Sequence, residues 1–509
     1  MTVDEQTDDF TSNQDSDLSQ TSDTANTLSD MKHVENGESV GSHLPKDDLL
    51  TGEEETASLC MMSSELKVLL TALSLTTYFY YTAFSTFAPL FPGVALKHGV
   101  TGAEIGLIMS SYALAATVQS SLSGIIIPKI GGRSGYVFGM FGASFTLISY
   151  GFLDKIDNEK TLLFIIIVCL LRMTEALFAI LGLNAAVAII FHQFPKSVQS
   201  KIFGTTNMFM GAGMTSGPLI GGILYDVGGY GLPFCVVGGC LLLTVPINYC
   251  VINIEFDSSK KKRDTSSIIT LVRKAPAVIV PALVTMTTAF IYSFLMPILA
   301  IYLATEFLIR SKSIEGAMFS LLTLGYCIGS PLWGWIVGNK PKSLRWVIMF
   351  GLVLLTIPVF FVGPCPWFHI VPTLWLLGLS LFLTGIGNSV GVITIVEIMN
   401  KAKSGLKEHL SHSAMVSGVY YTAFSIGTVL GPFLGGSFYQ FYGFGWTTTI
   451  AGFTCIGTCI IYGANMTRES MCSERSMDRE DVEMNGSAQI NDIANEKLPL
   501  NGDFPLYTE

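Results

Sequence analysis

The chain has 509 residues, 50% of them hydrophobic and only 13% charged, with a mean hydropathy of +0.51. A soluble chain carries about 25% charged residues, so this composition excludes a soluble enzyme and points to many membrane-spanning helices. The net charge of −10 says little about that body, because residues 1–66 hold 16 Asp/Glu against two lysines, Lys32 and Lys46; a basic surface for nucleic acid is absent.

Residues 1–63 are rich in Ser, Thr, Asp and Glu and poor in aromatics. They bury too little apolar surface to fold alone, and they read as a disordered acidic tail. Within it, Asp47-Asp48-Leu49-Leu50 has the form of an acidic dileucine sorting signal, which makes sorting adaptors at Leu49 and Leu50 an expected partner. Two leucines in a solvated tail are the plainer reading. The start shows no basic cluster and no early apolar run, so no secretory signal is expected.

Twelve apolar segments follow, each long enough to cross a ~30 Å hydrocarbon core. They lie near 67–90, 104–126, 135–153, 161–190, 202–226 and 232–254, then near 277–303, 316–338, 345–363, 372–399, 414–440 and 446–465. Lipid leaves backbone polar groups unsatisfied in anything but helices or closed barrels, and these runs are too long for barrel strands. The predicted class is an all-α membrane protein of twelve transmembrane helices. The longest and most basic interior connection, 255–276, divides them into bundles over 64–254 and 277–466, and residues 467–509 form a second polar tail.

Basic residues set the expected orientation. With both tails in the cytoplasm, the inner loops hold 16 Lys/Arg and the outer loops five: Lys97, Lys155, Lys160, Arg310 and Lys312. The positive-inside rule then places both termini in the cytoplasm. The ten cysteines are scattered, most inside apolar runs, with no C-x-x-C spacing. They read as small hydrophobes, and neither a metal site nor a cofactor is expected.

The strongest signal is a duplication at an offset of 214 residues. Segment 5 carries Gly213-x-x-x-Gly217-Pro218-x-x-Gly221-Gly222, and segment 11 carries Gly427-x-x-x-Gly431-Pro432-x-x-Gly435-Gly436. The match extends to Tyr225 with Tyr439, Gly229 with Gly443 and Gly231 with Gly445. Glycines four apart make a flat helix face that lets a neighbouring backbone approach. Proline removes a backbone donor and bends the helix. Ordinary glycine-mediated packing would explain one copy. Two registered copies, in the fifth segment of each half, are the mark of parallel repeats around a central pathway.

The G-x-x-x-G-P-x-x-G-G pattern resembles the antiporter motif of major-facilitator drug and vesicular amine transporters. With Ala88-Pro89-Leu90-Phe91-Pro92, Arg172-Met173-Thr174-Glu175-Ala176, Val245-Pro246-Ile247-Asn248, Gly363-Pro364, His369-Ile370, Glu397-Ile398 and Val416-Ser417-Gly418, the chain from about 67 to 465 resembles solute carrier family 18, in its vesicular polyamine transporter branch. The resemblance implies a major-facilitator fold, with segments 1, 4, 7 and 10 lining a cavity. Two departures stand out. The superfamily's G-x-x-x-D-R-x-G loop is replaced by a stretch from Gly124 to Gly131 with Pro128 in place of the acid. The acids of the monoamine and acetylcholine branches are also missing: segment 1 has none, Asn388 stands near the segment-10 position and Tyr421 near the segment-11 position. Monoamines and acetylcholine are therefore disfavoured.

Ionisable residues inside a bilayer are functional candidates by default. Arg172 and Glu175 lie three apart on one face of segment 4 and can pair. They are either a structural ion pair or a proton or substrate-ammonium site. Glu397, near the inner end of segment 10, either faces the headgroups or meets a cationic substrate. Asp226 and Glu306, at outer helix ends, read as solvated. Ring faces attract ammonium groups, which adds Tyr78, Tyr81, Tyr292 and Tyr421; packing or lipid contact is the plainer role for each. The leading expectation is a proton-coupled antiporter of organic cations, polyamines such as spermine and spermidine, in the membrane of an acidic intracellular vesicle. The alternatives are a plasma-membrane exporter or facilitator of another amphiphilic solute, and a membrane sensor or scaffold. No G-x-S-x-G, H-E-x-x-H or phosphate-loop pattern suggests an enzyme.

Overall fold

The computed structural model describes residues 63–252, 273, 275–309, 311–405 and 412–496. The acidic tail with its dileucine, and nearly all of the basic linker, lie outside the described residues. Among the described residues all regular structure is helical: α1 (Ser64–Lys97), α2 (Gly102–Ile130), α3 (Gly132–Tyr150), α4 (Thr161–Gln193), α5 (Lys196–Gly228) and α6 (Gly231–Val251), then α7 (Ile279–Thr305), α8 (Lys312–Asn339), α9 (Leu344–Val362), α10 (Leu374–Asn388), α11 (Val390–Gly405) and α12 (His412–Glu496).

Helices α1 to α9 are the first nine predicted segments. The tenth is α10 with α11, broken at Ser389 after a Gly385-Ile386-Gly387-Asn388 run of weak helix formers. The eleventh and twelfth are the two limbs of α12, separated at Gly443. Gly443 has φ +74°, and its repeat counterpart Gly229, between α5 and α6, has φ +76°. Only glycine takes that conformation without strain, so the same residue turns the chain at the same place in each half. The second limb of α12 continues as helix through the polar residues to Glu496.

Each bundle has its own core. In the first it includes Phe87, Phe91, Tyr150, Phe164 and Phe234; in the second, Phe294, Phe319, Leu355, Leu381 and Cys455. Large apolar side chains outside these cores, such as Phe145, Leu162 and Phe350, are exposed, as lipid-facing positions are in a membrane helix. Exposed tryptophans mark both ends of the spans: Trp335 and Trp346 on the side of the chain termini, Trp367, Trp375 and Trp446 on the far side. Such belts sit at headgroup level.

Candidate functional site

The duplicated glycine motif has two working faces. One binds its helix to the first helix of its own bundle. An added Cβ would lie 2.5 Å from the Tyr78 carbonyl oxygen at Gly213, 2.1 Å from Ser85 Oγ at Gly217 and 2.3 Å from Thr86 at Gly221. In the second bundle the contacts are Met286 O at Gly427 (2.3 Å), Ser293 Oγ at Gly431 (2.1 Å) and Phe290 O, 2.7 Å, also at Gly431. Gly435 meets the Phe294 carbonyl oxygen at 2.5 Å. Ser85 Oγ donates to Gly213 O at 3.4 Å, and Ser293 Oγ to Gly427 O at 3.3 Å. The other face meets the opposite bundle. A Cβ on Gly222 would lie 2.2 Å from Lys312 O on α8, and one on Gly436 the same distance from Gly102 O on α2. The Pro218 carbonyl abuts Gly316, and the Pro432 carbonyl abuts Gly106. Pro218 and Pro432 thus occupy matching places, and these interbundle contacts close the far side of the molecule.

Inside the first bundle, α4 presents Arg172 (5% exposed) and Glu175 (0%) on one face. Arg172 Nη1 donates to Glu175 Oε2 at 2.6 Å, and the Tyr150 hydroxyl of α3 donates to the same oxygen at 2.5 Å. Rings from α1 and α2 enclose the guanidinium: its carbon lies 4.3 Å from the Phe87 centroid, 4.6 Å from Tyr112 and 5.6 Å from Phe84. The Tyr112 hydroxyl pairs with that of Tyr80 at 2.6 Å. Buried charge is tolerated only when paired and bonded, and the aromatic faces add cation–π attraction. The satisfaction is one-sided: Glu175 Oε1 and Arg172 Nε are buried without a protein partner among the described residues.

The tyrosines named from sequence each have their own surroundings. Tyr78 accepts from Ser216 Oγ of α5 at 3.0 Å, and the neighbouring Thr215 hydroxyl meets Cys327 Sγ of α8 at 3.4 Å across the bundle seam. Tyr292 lies 6.2 Å from Tyr326, ring to ring. Tyr81 packs edge-on against Tyr80 and Phe84, toward the Arg172 cage. Tyr421 is 61% exposed at the terminus-side end of α12 and is edge-on to Tyr420. Asn388 is buried where α10 breaks, and its Oδ1, like Thr384 Oγ1 one turn earlier, has no protein donor among the described residues.

Glu397 does not face the headgroups. It is 3% exposed and takes a 2.7 Å hydrogen bond from the Tyr462 hydroxyl on the second limb of α12. One turn on, Lys401 pairs with Glu469, which Arg345 also reaches at 3.1 Å. This network joins α9, α11 and α12 at the terminus side of the second bundle, whereas the Arg172–Glu175 pair lies inside the first. Sequence reasoning missed Tyr112, Tyr150 and Tyr462. It also passed over Glu315, which is fully buried and bound through both carboxylate oxygens by Lys312 at 2.6 Å.

Two helical bundles built on one repeat, with paired charges inside and a closed seam at one end, define a multi-pass secondary transporter. A sequence profile of the Major Facilitator Superfamily matches residues 73–402 and 281–476. Human MFS-type transporter SLC18B1 is 32% identical over 371 residues, covering 72% of this chain and 79% of that protein. The mouse synaptic vesicular amine transporter is 25% identical over 248 residues, 47% of this chain and 44% of its own. A bacterial homologue of the human lysosomal transporter Spinster, solved in an inward-facing, occupied conformation, superposes with a TM-score of 0.62 at 14% identity over 80% of this chain and 98% of that one; this likeness shows the fold alone. The chain belongs to the Major Facilitator Superfamily and, within it, to solute carrier family 18.

Proposed function

We propose that this transporter is a proton-coupled antiporter that moves organic cations, polyamines above all, into acidic vesicles. The observation that carries the reading is Glu175: a fully buried carboxylate with one oxygen held by Arg172 and Tyr150 and the other without a donor. An ion pair of this kind holds no net charge, so it attracts a cation only when the arginine turns away. A proton and an ammonium group then compete for one ionised carboxylate, and competition at a shared site is what couples exchange. Ring faces at Tyr78, Tyr81, Tyr292 and Tyr421 supply further cation attraction, and Glu397 offers a second carboxylate in the other bundle. The vesicular amine transporter among the relatives supports an amine as cargo.

The purified protein in proteoliposomes with an acidic interior is expected to accumulate labelled spermine and spermidine, and collapse of the gradient should stop accumulation. Uptake of serotonin or an organic anion in preference to both, or uptake indifferent to the gradient, would replace this reading with a facilitator or exporter of another solute.

The basic-residue bias, 16 against five, supports a cytoplasmic position for both termini. Tags at residues 30 and 490, in protein carried to the cell surface, should therefore be labelled only after permeabilisation. Labelling of either tag on intact cells would reverse the orientation.

A further inference from the structure

On the far side, Asp226 at the end of α5 reaches across to the start of α8 in the other bundle. Its carboxylate accepts four hydrogen bonds there: from Lys312 N at 2.9 Å, Ser313 N at 3.0 Å, Ser311 Oγ at 2.8 Å and Ser313 Oγ at 2.6 Å. The first N–H groups of a helix have no partner within it, and a carboxylate both satisfies them and complements the helix dipole. The α8 helix has no side-chain cap of its own, and the Lys312 ammonium is taken by Glu315. Its cap therefore comes from the opposite bundle.

The repeat makes a comparison possible. The residue 214 positions after Asp226 is Gln440, and it does the same thing on the other flank: its Oε1 accepts from Ala103 N in the first turn of α2, at 3.2 Å. That is one neutral bond against four to a charged group. Moreover, α2 caps itself through Thr101 and Glu104, which form a reciprocal capping box. The two flanks are alike in backbone and unlike in strength.

We infer that Asp226 is the principal latch of the far-side gate, a borrowed helix cap that holds the two bundles together in this conformation and must be surrendered when the far side opens, while Gln440 is its weak counterpart. Because Asp226 is exposed, water replaces the lost bonds in part. The latch therefore biases the equilibrium between conformations and does not lock it. Loss of a helix cap changes an equilibrium by roughly two- to thirtyfold.

The test uses the full chain with the other nine of its ten cysteines replaced and Cys327 kept as a reporter at the seam. A membrane-impermeant maleimide is added to sealed proteoliposomes on one side or the other, with a terminal tag to report orientation. Asp226→Ala is expected to raise the rate of Cys327 labelling from the far side about tenfold and to lower it from the terminus side. Ser311→Ala with Ser313→Ala, which leaves Asp226 in place and removes two donors, should move both rates in the same directions by less. Gln440→Ala should change either rate by less than about twofold. Unchanged far-side labelling in Asp226→Ala would overturn the assignment. So would an equal effect in Gln440→Ala, or a rise from both sides together, which would report lost structure.

Discussion

Glu175→Gln is expected to abolish gradient-driven uptake while folded protein remains in the membrane. The substitution keeps the shape of the side chain and an oxygen for Arg172 and Tyr150 to bond, but removes the group that binds and releases a proton. A second consequence runs through Arg172, which keeps its charge at 5% exposure with no carboxylate beside it. Breaking a buried pair by removing one partner costs about 3–5 kcal/mol. The rings of Phe84, Phe87 and Tyr112 around the guanidinium offset part of that cost. Uptake and thermal stability must therefore be measured together, in the single variant and in Arg172→Gln with Glu175→Gln. If the double variant recovers stability and stays inactive, the carboxylate serves transport. If it recovers both, the pair is scaffolding and the proposed coupling site is wrong. Tyr150→Phe removes one of the two donors on Oε2 and should cost roughly 1.5–3 kcal/mol of stability as a lost bond to a charged group, with uptake reduced but still driven by the gradient.

What the sequence discloses and what it conceals follow from the range of the interactions. Segment positions were legible because lipid imposes long apolar runs, and the halves because the same glycines recur 214 residues apart. Arg172 and Glu175 were legible as a pair because three residues along a helix bring side chains to one face. The rest of that site is held by residues distant in sequence: Tyr150 comes from α3, Tyr112 from α2, Phe84 and Phe87 from α1. A tyrosine or phenylalanine in an apolar run carries no mark that separates it from its lipid-facing neighbours. Glu397 was visible as an acid in a span, but its burial depends on Tyr462, 65 positions away. Asp226 reads from sequence as a solvated residue at a helix end. It is solvated, yet it also caps a helix that starts 86 residues later. The repeat holds the one local clue, since Asp226 and Gln440 share a register that nothing in either half explains alone.

The two faces of the repeated motif predict two kinds of failure from substitutions five residues apart. Gly222→Ala and Gly436→Ala place a methyl group 2.2 Å from a backbone carbonyl oxygen of the opposite bundle, Lys312 in one case and Gly102 in the other. Backbone on a helix does not yield as a side-chain tip does, and such overpacking costs about 1–3 kcal/mol. The cost falls only on the conformation in which the far side is closed, because there alone do the bundles meet at these points. Its population should fall roughly ten- to a hundredfold relative to the far-open form. Uptake should collapse while the thermal midpoint barely moves. Gly217→Val and Gly431→Val instead press on Ser85 and Ser293, each 2.1 Å from the added Cβ, within a bundle. That contact persists in every state of the cycle, so these changes should lower the thermal midpoint by several degrees, with uptake falling only as folded protein is lost. Thermal unfolding and uptake, measured per folded molecule across the four variants, separate the faces. A midpoint that drops equally in all four would mean that the motif is only packing, and that the bundles do not part at Gly222 and Gly436.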